Sequence, residues 1–151
     1  MSKDVMKIQE NIINEFAQLS QWFDRYQHLI SLGRALQPLK NDEKNDDTAL
    51  LGCQAHVWIK TTHQEDTLHF SIDSDSLITK GILSLLLRIY NDQTPKDILE
   101  THLYFPEKIG LYDHLSPMRA NGLQAMIQRI ESEARDSLSL HNVENSNISE
   151  K

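Results

Sequence analysis

The sequence has little cysteine and little positive charge. Cys53 is the single cysteine among 151 residues, so one chain can form neither an internal disulfide nor a CxxC redox pair. It also cannot supply a cysteine-rich zinc or cluster site. A lone thiol favours a reducing compartment, and we expect the cytoplasm. The 15 basic residues against 22 acidic ones give a net charge of −7. Nucleic acid is not expected as a partner, because phosphate contacts need a basic surface.

Long apolar runs and glycine-rich loops are also lacking. The longest apolar run, Ile82 to Leu87, is interrupted by Ser84 and is far shorter than the roughly 20 residues that span a bilayer. Residues 1–10 are polar and mixed in charge, unlike a signal peptide. The five glycines are widely spaced and form no phosphate-binding loop. A chain of this length can bury one core, so we expect a single domain without a membrane segment.

Apolar periodicity predicts helices around a β-hairpin. Spacings of three and four residues over the first 36 residues predict helix, bent or broken near Ser20. Alternation at Ala55–Ile59 and Leu68–Asp73 predicts two antiparallel strands with one buried face. A central helix follows the cap-rich run at 73–76, ending near Asn91.

Two hydroxyl–proline pairs predict the remaining helices. Thr94-Pro95 starts a short helix to about His102, and Ser116-Pro117 starts a long one to about Asp136. Residues 137–151 are rich in Asn, Ser and Glu, and we expect a disordered C-terminal tail after a domain at 1–136. The expected fold class is therefore α+β, a small antiparallel sheet covered by helices on one face.

The surroundings of Cys53 permit two interpretations. Free cysteines are commonly small buried hydrophobes, and the local sequence alone favours that role. The alternative is a reactive thiol, which needs its thiolate stabilised. No His or Lys lies within two residues of Cys53, so an activating charge must come from elsewhere in the fold or from a partner. Gly52 leaves space for a reacting group to approach.

Few other residues suggest chemistry by themselves. Asp73 and Asp75 lie at a strand-to-helix junction, where carboxylates usually cap the helix. The seven histidines form no metal-binding motif, so no metal is expected. His114 precedes the entry to the last helix. Arg119 lies in the first turn of that helix, where a cation opposes the helix dipole. This unfavourable position suggests a specific role, and the alternative is a side chain that simply extends into solvent.

Four segments in order resemble the SufE family. GCQAHVWI at residues 52–59 is similar to the family's GCQSQVW block, and DSDSLITKGI at 73–82 is similar to DSDAxIVKGL. GLYDHLSPMRANGL at 110–123 is similar to LGLxxHLSPSRxNGL, and the segment at 24–33 resembles the N-terminal helix of the family. The likeness covers about residues 12–132. Ala55, His56 and Met118 depart from the family pattern, which leaves the cysteine intact.

The resemblance implies a sulfur carrier with the fold shared by SufE and IscU-type proteins. Cys53 would accept persulfide sulfur from a pyridoxal-phosphate-dependent cysteine desulfurase of the SufS or CsdA type. It would deliver that sulfur to an Fe-S scaffold of the SufBCD type and would stimulate the desulfurase, with no cofactor or metal on this chain. Asp75 and Arg119, and after them Asp73 and His114, would contact the desulfurase.

Two alternatives to the carrier stay open. The chain could be a regulatory binding module that acts on the desulfurase without carrying sulfur, which a Cys53→Ser variant would reveal by keeping the stimulation. An independent cysteine hydrolase is disfavoured, because no motif places a His or Asn against Cys53. The carrier would act through its cysteine persulfide and not as an independent enzyme.

Overall fold

The computed structural model describes residues 4–51 and 55–149, with side chains as far as Leu140. The helices in this part are α1 (Val5–Ala17), α2 (Trp22–Ala35), α3 (Leu77–Tyr90), α4 (Pro95–Glu100), α5 (Phe105–Lys108) and α6 (Pro117–Ser149). The strands are β1 (Ala49–Leu50), β2 (Val57–Gln64) and β3 (Thr67–Ser74), and 3-10 turns lie at Asn41–Glu43 and Tyr112–His114.

The sheet is antiparallel with the order β1-β2-β3. Val57 pairs with Ser74 and Gln64 pairs with Thr67, so β2 and β3 form one long hairpin. Glu65 in its turn has a φ of 57°. Apolar side chains alternate along both strands and are buried against the helices, as the period of two predicts. The predicted α+β fold class, with helices on a small antiparallel sheet, is confirmed.

Helix α3 is the central helix of the domain. It is buried around most of its circumference and packs against both β3 and α2. The contact with α2 is close because each helix contributes a glycine. A Cβ added to Gly33 would lie 2.3 Å from the carbonyl oxygen of Leu77, and one added to Gly81 would lie 2.1 Å from that of Leu29. Ser76 caps α3 by accepting a hydrogen bond from the backbone N–H of Thr79 (3.3 Å).

The predicted interruption of the N-terminal helix is confirmed, since α1 ends at Ala17 and α2 begins at Trp22. The sequence did not predict β1 or α5, which are too short to show a period. A buried glutamine fixes the start of α5. The Gln9 side chain donates to the carbonyl of His102 and accepts from the backbone N–H groups of Tyr104 and Phe105.

The last helix continues beyond its expected end. We predicted an end near Asp136 and a disordered tail at 137–151, but α6 is helical through Ser149. Residues 123–149 contain no glycine or proline to stop the helix. Ser137 and Leu138 also lie against α4 and the hairpin turn, lining a groove of about 220 Å³. The domain boundary at residue 136 stays a prediction. None of the helices in the described residues is long and apolar enough to cross a membrane.

Candidate functional site

Cys53 belongs to the connection between β1 and β2, residues 51–56. Leu50 pairs with Val57, so the connection leaves and re-enters the sheet at neighbouring points. Residues 52–54 lie outside the described residues, and the predicted environment of Cys53 lies outside them as well. Leu51, the last described residue before Cys53, is 86% exposed. The pairing of β1 with β2 anchors the connection at both ends.

Asp75 holds the end of the connection through His56. The Asp75 Oδ1 atom accepts a hydrogen bond from the His56 backbone N–H (3.0 Å), and the Asp75 N–H donates to the His56 carbonyl (3.3 Å). The His56 ring also stacks on Trp58, with centroids 5.9 Å apart. On the same indole, the Lys44 ammonium lies 4.9 Å from the ring centroid. Asp75 is itself exposed, so it both fixes the connection and faces solvent.

Asp73 lies under the surface and has a different environment. Its side chain is 4% exposed, with Lys44 Nζ at 3.0 Å and Lys80 Nζ at 3.4 Å. It also accepts hydrogen bonds from the backbone N–H groups of Leu39 and Ser74. Burial raises the pKa of Asp73, but the Lys44 ammonium, these N–H groups and Lys80 lower it more, so the pKa is below its usual value.

This geometry corrects one expectation and limits another. The usual reading of Asp73 and Asp75 as caps of α3 is wrong, because Ser76 supplies the capping oxygen. Asp73 was also expected to contact a partner protein, and a carboxylate this buried presents almost no surface for that purpose. Sequence reasoning missed the pairing with Lys44, because Lys44 is distant from Asp73 along the chain and no local signal reports such tertiary pairing.

A small cavity of about 20 Å³ lies beside the end of the connection that leads into β2. It is lined by one residue of the connection, two residues of α3 and four residues of the first turns of α6: Ala55, Thr79, Ile82, Arg119, Gly122, Leu123 and Met126. Most of this lining is apolar, and the half-buried Arg119 is its cation. The Arg119 backbone N–H donates to Ser116 Oγ (3.2 Å). Within the described residues, its guanidinium has no hydrogen-bond or ion-pair partner.

His114 lies on the side of α2, apart from the cavity wall. Its ring stacks on Trp22 with centroids 3.8 Å apart and an interplanar angle of 20°. Its carbonyl accepts a hydrogen bond from the hydroxyl of Tyr26 (2.7 Å). The imidazole is therefore part of the contact between α2 and the turn that leads into α6. The described residues contain no group of three or more His, Cys, Asp or Glu side chains placed to hold a metal.

Of the predicted site residues, the structure places Arg119 and Asp75 next to the connection that contains Cys53. It places Asp73 beneath that region and His114 to one side. Comparison with known proteins identifies the family. The model of SufE, the Fe-S metabolism associated domain, matches residues 10–134. The chain belongs to the SufE family.

Relatives of this SufE-family chain match it over nearly their whole length. An uncharacterized SufE-like protein of Rhizobium meliloti is 37% identical over 134 residues, which is 85% of this chain and 96% of that protein. Another from Rhizobium etli is 35% identical over 132 residues, covering 83% of this chain and 88% of that protein. The predicted family is thus confirmed, and with it an association with Fe-S metabolism.

A solved structure is also similar to this SufE-family fold. It is the solution structure of a hypothetical protein from Thermus thermophilus, with a TM-score of 0.70 and 19% sequence identity. The match covers 87% of this chain and 96% of that one. At this level of identity the similarity supports the fold alone.

Proposed function

We propose that Cys53 is a persulfide acceptor that takes sulfur from a cysteine desulfurase and passes it to an Fe-S cluster scaffold. The observation that carries the proposal is the family match across residues 10–134, within which Cys53 is the single thiol. The connection that contains Cys53 is anchored at both ends, and Ala55 of that connection lines a partly apolar cavity, which supports the same role. The desulfurase is a pyridoxal-phosphate enzyme of the SufS or CsdA type, and the scaffold is of the SufBCD type.

The reaction is a sulfur analogue of thiol–disulfide exchange. The Cys53 thiolate attacks the outer sulfur of the persulfide on the desulfurase cysteine. The bond between the two persulfide sulfurs breaks, the desulfurase cysteine leaves as a thiolate, and the hydrogen stays on the transferred sulfur. The products are Cys53–S–SH and the restored desulfurase thiolate, so no external oxidant or reductant is needed. The step needs thiolate character and in-line access and uses no metal or cofactor of this chain.

The surroundings of the connection suit such a step. Asp75 and the β1–β2 pairing hold its two ends, which limits the conformational freedom lost when a partner binds. Half-buried Arg119 is the cation among the residues that line the cavity, and Ala55 lines the same cavity. A cation stabilises a thiolate or a persulfide anion. Exposed Asp75 and half-buried Arg119 also offer opposite charges to a docking protein, so both are assigned to docking.

Intact-protein mass spectrometry tests the proposal directly. The chain is incubated with active cysteine desulfurase and L-cysteine, and we expect a gain of one sulfur atom that dithiothreitol removes. The Cys53→Ser variant should show no gain. If the parent mass stays unchanged while the desulfurase is active in the same tube, Cys53 is not an acceptor. Stimulation of the desulfurase by Cys53→Ser would then support the regulatory module. Fractionation of the source cells tests the expected cytoplasmic location.

A further inference from the structure

Strand β1 is very short and lies at an edge of the sheet. Its two residues, Ala49 and Leu50, pair with β2, and within the described residues no strand lies on its other side. One further bond to β2 runs from the Ile59 N–H to the Thr48 carbonyl (2.8 Å). A strand of this length is shorter than most strands in globular proteins and needs support from elsewhere. That support matters because Cys53 follows Leu50 by only three positions.

An arginine of α6 covers the outer side of β1. The Arg129 guanidinium donates hydrogen bonds to the carbonyls of Asp47 and Ala49, the second at 3.4 Å. The Thr48 carbonyl between them is bonded to β2, so the carbonyls on either side of it face away from the sheet. Unpaired carbonyls on an edge strand are otherwise open to water or to another chain. Arg129 therefore supplies donors where a further strand would otherwise have to.

A carboxylate of the same helix fixes the position of this arginine. Glu133 lies one turn further along α6, and its Oε1 atom accepts a hydrogen bond from Arg129 Nε (3.0 Å). The side chains of Arg129 and Glu133 are only 24% and 28% exposed. The bond from Nε leaves the terminal nitrogens for the two carbonyls, and the planar guanidinium is pre-organised for such a set of bonds. Hydrogen bonds from a cation are also stronger than those between neutral groups.

Helix α6 thus contacts the chain on both sides of Cys53. Near its start, Arg119 lines the cavity with Ala55, which follows Cys53 by two positions. Ten residues later, Arg129 holds Ala49, which precedes Cys53 by four positions. An α-helix rises about 1.5 Å per residue, so these two residues are about 15 Å apart along one rigid element. The helix that borders the exit of the connection therefore also holds the strand that enters it.

We infer that Arg129 is a positioning residue for sulfur acceptance, because it holds β1 in the sheet and thereby sets the place of Cys53. The inference rests on the proposed function, which assigns the acceptor role to Cys53. Arg129 acts through the backbone of β1 and takes no part in the exchange of bonds. The attacking sulfur must lie in line with the bond that breaks, and a connection released at one end reaches that geometry less often.

Amide hydrogen exchange measures whether Arg129 holds β1. The Ile59 N–H, bonded to the Thr48 carbonyl, reports release of β1, and the Leu68 N–H, bonded to the Gln93 carbonyl (2.9 Å), reports opening elsewhere in the sheet. We expect Arg129→Gln to speed exchange at Ile59 about tenfold and to change exchange at Leu68 less than about twofold. Unchanged exchange at Ile59, or equal acceleration at both amides, would refute the inference.

The rate of sulfur gain measures the positioning role. The chain is mixed with an excess of persulfide-loaded cysteine desulfurase of the source organism, and intact mass spectrometry gives the rate at several desulfurase concentrations. We expect Arg129→Gln to lower the saturating rate about fivefold or more and to leave the half-saturating concentration within about twofold. Arg129→Lys keeps the charge without the fork and should recover part of the rate. The temperature is one at which circular dichroism shows every variant folded, so a loss of overall stability leaves the rate unchanged.

Arg135→Gln is the control, since Arg135 lies on the same helix with a side chain that is 59% exposed. The inference is wrong if Arg129→Gln gains sulfur at the parent's saturating rate, if only the half-saturating concentration changes, or if Arg135→Gln slows the gain equally. Each of these results includes sulfur gain on the parent and leaves the carrier intact. No sulfur gain on the parent from any cysteine desulfurase of the source organism refutes the carrier, and the positioning role with it.

Discussion

The Asp75 carboxylate and the His56 backbone form a two-bond clasp, with His56 N–H to Oδ1 at 3.0 Å and Asp75 N–H to the His56 carbonyl at 3.3 Å. This clasp fixes the chain three residues after Cys53. One of its bonds uses backbone atoms only, so a substitution at Asp75 removes the other. The clasp therefore links the junction before α3 to the connection that contains the cysteine.

Removing the Asp75 carboxylate should loosen this end of the connection. We expect Asp75→Ala to lower the free energy of unfolding by about 1 kcal/mol, because one charge-assisted hydrogen bond is lost at a solvent-exposed position. Asp75→Asn keeps an acceptor oxygen and should lose less than half of that. Urea denaturation monitored by circular dichroism measures both values. Equal losses in the two variants would mean that the charge near α3, and not the hydrogen bond, stabilises this region.

Buried Asp73 should make stability depend on pH. Its pKa is lowered in the folded chain, so the unfolded chain binds the proton more readily. The stabilisation is thus present above pH about 4 and is lost as the pH falls through the lower folded pKa. Asp73→Asn should cost roughly 3 kcal/mol near neutral pH, since it leaves Lys44 and Lys80 without their buried partner.

Urea unfolding at several pH values between 3 and 6 measures this dependence. The difference between parent and Asp73→Asn should shrink as the pH falls. Glu43, whose pKa is lowered chiefly by a hydrogen bond from Lys60, is present in both proteins and cancels in the difference. Exposed Asp66 provides the control, and Asp66→Asn should leave the curve unchanged. A constant difference across the pH range would contradict the assignment to Asp73.

The sequence predicts those features of the fold that depend on residues close together along the chain, and misses those that depend on residues far apart. The hairpin and α3 were predictable because alternation and helical spacing are local and one face of each is buried. The role of Asp73 was not, because its partner Lys44 comes from a loop that the hairpin brings near. The position of Arg119 beside Ala55 likewise requires α6 to cross the end of the connection, which no local pattern reports. Continuation of α6 past Asp136 was missed because polar composition suggested disorder, while the absence of glycine and proline permitted helix.

The close contact between α2 and α3 should not tolerate a methyl group. We expect Gly81→Ala to destabilise the fold by about 2 kcal/mol or more, because its Cβ would meet the Leu29 backbone at 2.1 Å and backbone cannot rotate away. Gly110 is the comparison. Its φ is 71°, but the nearest atom to an added Cβ, on Trp22, is 3.7 Å away. Gly110→Ala should cost about 1 kcal/mol from backbone strain alone.

Thermal and urea unfolding measure the stability loss of each variant. The loss in Gly81→Ala reports steric overlap, and the loss in Gly110→Ala reports backbone strain. Helix α3 also carries Thr79 and Ile82 of the cavity wall, so a shift of this helix would reach the candidate site. We therefore expect Gly81→Ala to reduce the rate of sulfur gain more than Gly110→Ala does. A smaller stability loss for Gly81→Ala than for Gly110→Ala would refute the close packing of the two helices.

Arg119 should matter for sulfur transfer more than for folding. Its guanidinium lines the cavity with Ala55 and has no described ion-pair partner, so replacing it removes a charge from the site without breaking a salt bridge in the described residues. We expect Arg119→Gln to slow the gain of sulfur on Cys53 about tenfold. Arg119→Lys should retain part of the rate, because it keeps the charge but loses the planar fork.

Arg135→Gln is the matched control for Arg119→Gln. Arg135 lies on the same helix, its side chain is 59% exposed, and its ion pair with Glu131 is long at 3.9 Å. Such a pair contributes at most about 1 kcal/mol, so this variant should transfer sulfur at the parent rate. Time-resolved intact mass spectrometry gives the rates.

Alkylation of Cys53 by iodoacetamide, measured without desulfurase, then shows whether Arg119 acts on the thiolate or on docking. Slower alkylation in Arg119→Gln assigns the arginine to the thiolate, and unchanged alkylation assigns it to docking. Equal sulfur gain in Arg119→Gln and Arg135→Gln would remove Arg119 from the site.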